Sequence, residues 1–570
     1  MTTPALAALR AVTSTCVAAA WSFSDEQAAE GLIVVDKLRA VFLPPPPAAS
    51  SATQQPQQHV LQLLQLLPTE LLTEVLSRLD THGLARLAST CRPLWRDAPT
   101  PPLPLLRPMG AVEAELRRRF TARGLRVVSS LPDGALSWVP YLLKRALREA
   151  LRREAPLAVG FGFSLFVDAE GRLWTCGTEN NEGFNGAAHL LGHAVDPDDD
   201  LTAPRSVDPP TLVPSMQGKC IVSVATGGEH CLALSCAGEV YSWGEGHYGS
   251  LGHADGSARA VPSRIESLSM IESIKAGPDL KSAAVGPDLK SAAVDEVGRL
   301  FTWGLARDLR DKAVPSGLGY AIDSQTECQL TPMRVDALSE DRVVGIALGS
   351  GFTLAVTDTS TVFSCGSSWF GLLGHGAVGP VREVEVLPRR IEALAQTEWR
   401  FVAVAAGANQ ALALTEEGEL YGWGREGASG HEQNEPTPRQ VTAFVGQRVK
   451  HVSAGDSSSC AVTETGELYT WGNGECGQLG HEDWDEDEPD ETPKRVEGLN
   501  GVKVAAAAMC STHTLVADED GVVWAFGEPP DEGGVVWADM PEESQAWHPT
   551  PISTLRVRVR KSPDVLPFLV

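Results

Sequence analysis

Seven times between residues 171 and 527 the chain repeats a short stretch ending on glycine. The copies are GRLWTCG (171–177), GEVYSWG (238–244), GRLFTWG (298–304), STVFSCG (360–366), GELYGWG (418–424), GELYTWG (466–472) and GVVWAFG (521–527). Their closing glycines stand 67, 60, 62, 58, 48 and 55 residues apart. Ahead of them lie alternating apolar runs (IVSVATGG, FVAVAAGA, VKHVSAGD), then a glycine-containing turn and a run of small residues (CLALSCA, ALALTEE, SCAVTET). Alternation of period two with turn residues between the runs predicts antiparallel hairpins. One such sheet leaves both faces wet, whereas seven placed radially bury them against their neighbours. The repeat therefore predicts a mostly β chain folded as a seven-bladed β-propeller over 157–555.

Several units are preceded by a proline-led segment, such as EPTPRQVTAF (435–444) and ETPKRVEGL (491–499). A similar segment, HPTPISTL (548–555), follows the last aromatic stretch, and none stands before PLAVGFGFSLF. The expectation is that the C-terminal strand 548–555 closes blade 1, removing the edge an open ring would leave, with 556–570 as a tail. The third unit carries GPDLKSAAV twice (277–285 and 286–294); one copy serves as the strand, and the other is an inserted loop or a sequence artefact. In the seventh, VAAAAMC stands where its neighbours place glycine, so a different turn is expected there.

Charge and cysteine usage narrow the function classes. A formal net charge of −26 argues against sequence-independent nucleic-acid binding, which needs Lys and Arg to displace counterions. Between Arg107 and Arg153 eleven Lys/Arg face only four acids, read as a solvated helix face. Eleven cysteines without a CxxC pair are no disulfide framework and suit a reducing compartment, cytoplasm or nucleus. No apolar run reaches the length of a membrane span. The leader MTTPALAALRAVTSTCVAAAW has no acid before Asp25, which leaves an organelle transit peptide as the alternative to a plain leader. Residues 1–60 read as this leader and a Pro/Gln-rich linker, 61–98 as a leucine-rich helical block, and 99–156 as a Pro-rich linker with basic helices.

The recurring V..V.AG..H.LAL...G.LY.WG.G..GQLGH resembles the repeat of the regulator of chromosome condensation family. The sixth unit (VSAGDSSSCAVTETGELYTWGNGECGQLGH) and the second (VATGGEHCLALSCAGEVYSWGEGHYGSLGH) match it best. His193, His253, His375, His431 and His481 follow LG or SG at one place in their repeats. Repeat-equivalent residues lie one per blade and cannot converge at zinc-ligand distances; they read as turn histidines with a satisfied ring nitrogen. Cys176 and Cys365 stand where Trp243, Trp303, Trp423 and Trp471 stand elsewhere, as smaller core residues. The loop HEDWDEDEPDE (481–491) has eight carboxylates but lacks the alternate ligands around a glycine that calcium loops use. No Walker loop, GxSxG or HExxH occurs, so neither an active site, a metal nor a cofactor is expected.

The helical block LLPTELLTEVLSRLDTHGLARLASTCRPLWRDA (66–98) has Pro68 in a first helical turn, then Leu71, Leu72, Val75, Leu76 and Leu79 as an amphipathic stripe. DTHG breaks the helix, and Leu84, Leu87, Cys91, Leu94 and Trp95 continue the apolar set. This order resembles the F-box motif, making a small N-terminal α-helical F-box domain. The resemblance implies an adaptor-facing or F-box core set of Leu67, Pro68, Leu71, Leu72, Val75, Leu76, Leu79, Leu84, Leu87, Leu94 and Trp95. A segment so small is marginal alone and would be stabilised by its adaptor. The two resemblances together imply a non-catalytic substrate-receptor subunit. Its F-box would bind the Skp-type adaptor of a cullin ubiquitin ligase, and its propeller would hold a substrate protein. The alternatives are a guanine-nucleotide exchange factor for a Ran-like small GTPase, whose contact would fall in 305–336, and a protein-binding scaffold.

Overall fold

The computed structural model describes residues 156–179 (161 excepted), 189–194, 205–277, 289–307, 314–323, 325–376, 382–481, 490–527 and 548–557. Within these, seven four-stranded antiparallel sheets follow one another in chain order. The first holds β1 (Leu157–Gly160), β2 (Phe163–Val167), β3 (Leu173–Glu179) and β4 (Arg205–Leu212). The second holds β5 (Ile221–Thr226), β6 (His230–Ser235), β7 (Val240–Gly244) and β8 (Arg259–Arg264). The third holds β9 (Ile271–Ala276), β10 (Lys290–Asp295), β11 (Leu300–Leu305) and β12 (Cys328–Arg334). The fourth holds β13 (Val343–Gly349), β14 (Phe352–Thr357), β15 (Val362–Ser368) and β16 (Glu383–Arg390). The fifth holds β17 (Phe401–Ala406), β18 (Gln410–Thr415), β19 (Leu420–Gly424) and β20 (Glu435–Gln440). The sixth holds β21 (Val449–Ala454), β22 (Ser458–Thr463), β23 (Leu468–Gly472) and β24 (Asp490–Arg495). The seventh holds β25 (Val504–Met509), β26 (His513–Asp518), β27 (Val522–Gly527) and β28 (Thr550–Arg556). First strands of successive sheets touch all the way round, β25 meeting β1. The ring is a closed seven-bladed propeller.

Its closure corrects the expectation for 548–555. β28 pairs with β27, with Trp524 opposite Pro551 and Ala525 opposite Thr550, so it completes the seventh sheet and not blade 1. The first sheet has its own fourth strand, the proline-bearing RSVDPPTL of β4. Proline-led segments therefore belong to the sheet before them, as outer strands, where a missing N–H leaves no ladder bond unmade. The two ends still meet. Asp168 and Val557 form an isolated bridge, and Leu157, Val159 and Phe166 pack with Leu515, Ile552, Leu555 and Val557.

The two irregular units resolve locally. In the third, β10 is drawn from the second GPDLKSAAV copy; residues 278–288 lie outside the described set. In the seventh, Cys510 N–H donates to His513 O at 3.1 Å, as Gly455 N–H donates to Ser458 O at 2.8 Å in the sixth. The turn is the same, and its glycine is dispensable.

The seven closing glycines are not dispensable. All have φ between 99° and 121°. At Gly304 a Cβ would stand 2.1 Å from Leu289 O, the carbonyl that accepts the next N–H, from Leu305, at 2.8 Å. Only a residue without a side chain lets the third strand come this close to the start of the second.

The residue before each of these glycines packs between blades. Trp243, Trp303, Trp423 and Trp471 are fully buried. Each indole N–H donates to a carbonyl of the preceding sheet: Leu190 O, Ser250 O and Leu372 O at 2.8 Å, and Ala428 O at 3.1 Å. Cys365 occupies that slot in the fourth sheet and keeps a weaker Sγ contact with Gly317 O at 3.5 Å. Burial pushes its thiol up to about 12. The lost indole volume leaves a cavity of about 10 Å³ beside Gly319, Val335 and Pro388, about one water in size.

Candidate functional site

In each sheet the turn between the first two strands and the loop between the last two leave from the same end, as the bonds Glu245 N–H to Glu229 O and Ser367 N–H to Gly351 O show. All seven such sets open on one face of the ring. Its floor is a circle of buried side chains, one at the start of each second strand, of which His230, Lys290, Gln410 and His513 are polar and reach into the next blade. His230 Nε2 lies 2.7 Å from Ser291 Oγ, which itself donates to Ser250 O; the imidazole must therefore supply the Nε2 proton. Lys290, fully buried, donates to Ser316 O at 2.6 Å, Phe352 O at 3.2 Å and Gly349 O at 3.3 Å. Gln410 donates to Ser458 O at 2.7 Å and Gly455 O at 3.2 Å. His513 meets Ser164 Oγ at 3.0 Å, tying the last blade to the first. Burial pushes His230 down to about 4, and its Nδ1 finds no hydrogen-bond partner.

The five turn histidines are structural. His193, His253, His375 and His481 set Nε2 at 2.8–3.0 Å from a Thr or Ser hydroxyl. That hydroxyl donates to the carbonyl of Leu191, Leu251, Leu373 or Leu479. The fifth sheet has Gly422 in the hydroxyl position, and His431 turns to Arg439 O at 3.3 Å. Burial lowers His253 to about 4 and moves His375 and His431 the same way. In the third sheet Tyr320 takes the histidine's place and donates to Thr302 O, a substitution that the LG-His pattern does not reveal. Among the described residues no group of three His, Cys, Asp or Glu is placed to hold a metal. Of the acidic loop only His481, Asp490 and Glu491 are described; the His481 ring reaches Asp490 Oδ2 at 2.6 Å.

Around this floor stand side chains suited to contact with another macromolecule. Trp369 and Phe370 are 46% and 41% exposed, and Arg382 lies over the indole at 5.9 Å. Phe370 and the corresponding Tyr248 have φ of 60° and 54°, a backbone region that bulky residues seldom occupy. On the second blade burial, then the Glu245 charge, raises Glu229, and Glu245 lies 3.2 Å from His247. On the sixth, burial lifts Asp456 to about 6. Period and motif reasoning missed this floor, because His230, Lys290 and Gln410 share a position but no chemistry.

The implied adaptor set, Leu67, Pro68, Leu71, Leu72, Val75, Leu76, Leu79, Leu84, Leu87, Leu94 and Trp95, lies outside the described residues, as do parts of the 305–336 interval.

Comparison with known proteins adds two matched regions. An RCC1-like domain matches residues 183–562, and an F-box domain matches residues 64–94. The E3 ubiquitin-protein ligase HERC2 of Homo sapiens is 36% identical over 421 residues, which cover 72% of this chain and 8% of that protein. Protein RCC2 homolog of Xenopus laevis is 27% identical, covering 63% of this chain and 66% of its own length. The chain thus spans a small fraction of the first of these. Among solved structures, Prp20p of Saccharomyces cerevisiae superimposes with a TM-score of 0.53 at 20% identity, covering 71% of this chain and 89% of that one. Human WBSCR16 does so with 0.50, also at 20%, covering 65% and 88%. Both likenesses concern the fold.

Proposed function

The chain belongs to the RCC1-like domain family and carries an F-box ahead of that domain, and from this we propose that it is a substrate receptor of a Skp–cullin–F-box ubiquitin ligase. The observation that carries the reading is the order of the two modules. A short F-box match over residues 64–94, a length too small to bury a core of its own, precedes a closed ring of seven sheets. The block supplies a hook for the Skp-type adaptor, with Leu67, Pro68 and the leucine stripe in contact. The ring supplies a platform whose longest loops gather on one face, the arrangement in which binding residues are commonly carried. It contributes surface and not chemistry. Ligase subunits of this kind work in the cytoplasm or nucleus, a setting with which the nine described cysteines, none of them in a disulfide, are compatible.

The test is co-purification of the full-length chain with the adaptor, comparing wild type with Leu67→Ala/Pro68→Ala. Loss of adaptor with an unchanged urea midpoint of the propeller supports the proposal; undiminished recovery of adaptor overturns it. Release of bound nucleotide from a Ran-like GTPase, measured with the same protein, tests the exchange-factor alternative directly.

A further inference from the structure

The outer strand of the fourth sheet exposes more large apolar side chains than any of its six counterparts. β16 begins Glu383-Val384-Glu385-Val386-Leu387 before reaching Pro388. Val384, Val386 and Leu387 are 46%, 39% and 51% exposed; β12 exposes only Leu330 and Met333, each at 37%, and no large hydrophobic of β4, β8, β20, β24 or β28 is exposed. β16 ends its sheet, so among the described residues its outward edge meets no further strand. A bare, alternating edge of this kind is a template for another strand, and natural sheets usually blunt it.

One stretch of the same chain carries the complementary pattern. Beyond β28 the sequence runs Val557-Arg558-Val559-Arg560-Lys561, with the same period of two and the opposite charge. Laid along β16, valine faces valine and arginine faces glutamate, the cross-strand pairings that stabilise a ladder. It cannot be the tail of the same ring. Val557 is fixed at the seam between the last and first blades, bridged to Asp168 and donating to Gly521 O at 2.9 Å, whereas β16 belongs to the fourth of seven blades, on the far side.

We infer that residues 558–561 of one copy add as a strand to the outer edge of β16 in a second copy. Giver and receiver lie on opposite sides of the ring, so the contact is heterologous and does not close on itself; it builds an open head-to-tail series. Glu385 now holds Arg389 at 2.6 Å, a surface pair that an incoming arginine can replace at little cost.

Sedimentation of the full-length chain tests this. Wild type is expected to gain weight-average mass steadily with concentration, and the affinity to fall at least tenfold in high salt. Val384→Lys/Val386→Lys, which blocks the edge, and Arg558→Glu/Arg560→Glu, which reverses the tail, are each expected to be monomeric. Mixed in equal amounts, they are expected to form dimers and nothing larger, because each keeps the half the other lacks; that outcome also shows both variants folded. A monomeric wild type, variants that associate as wild type does, or a mixture that stays monomeric would each overturn the inference.

Discussion

Acid loosens the junction between the second and third blades through His230. The imidazole spends its Nε2 proton on Ser291 Oγ, and its Nδ1 faces no acceptor. Protonation would place a charge and an unsatisfied donor in a site with no access to water. The folded state therefore holds His230 near 4, against an ordinary 6.5. Because the folded value is the lower one, the unfolded chain takes up the proton first as pH falls. The stability is fully present above 6.5 and drains away as pH drops toward 4. At 1.36 kcal/mol per unit the loss is about 2 kcal/mol by pH 5 and about 3 kcal/mol by pH 4. The ring itself offers a replacement that does not titrate. Gln410 fills the corresponding position and donates to Gly455 O and Ser458 O; in the third blade the matching carbonyls belong to Gly277 and Lys290. Urea unfolding of the full-length wild type and His230→Gln at neutral pH and at pH 5 measures the effect. The variant is expected to lose about 2 kcal/mol less across that interval, whatever its offset at neutral pH. His253, His375 and His431, also lowered by burial, act in both proteins and cancel. Parallel losses in the two would refute the assignment of His230 as the buried neutral group.

Trp423→Ala removes a fully buried indole and strands Leu372 O; a loss of roughly 3–5 kcal/mol is expected in urea, and a change below about 1 kcal/mol would contradict the inter-blade role. Gly304→Ala drives a Cβ against Leu289 O in a strained backbone region and is expected to cost about 2 kcal/mol or more, read from the same midpoint. Lys290→Met leaves the carbonyls of Ser316, Gly349 and Phe352 without their ammonium partner. It is expected to lower stability by about 2 kcal/mol; an unchanged midpoint would mean those carbonyls are satisfied without it.

The blades were readable because their cause is local. Alternation, turn residues and a glycine that admits close backbone approach all sit within about sixty residues of sequence and recur. What repeats cannot reveal is phase. A proline-led strand stands between two aromatic stretches and can be read with either; only the pairing of β20 with β19, or β28 with β27, shows that it closes the earlier sheet. The histidine turns were readable for the same reason as the blades. The buried floor was not, since Phe163, His230, Lys290, Phe352, Gln410, Ser458 and His513 begin the second strands with no shared residue type. The tandem GPDLKSAAV offered two lysines for one place, and sequence alone could not choose between Lys281 and Lys290.

Because every sheet is one uninterrupted length of chain, whole blades can be gained, lost or enlarged in evolution without rethreading their neighbours, and a nine-residue duplication can be absorbed inside one of them. The same arrangement leaves the circle without a shared strand where its two ends come together. There it is fastened by apolar packing, one backbone bridge and the His513–Ser164 and Cys510–Gly160 contacts, so under mechanical pull or partial denaturation that clasp is where the ring is expected to part first.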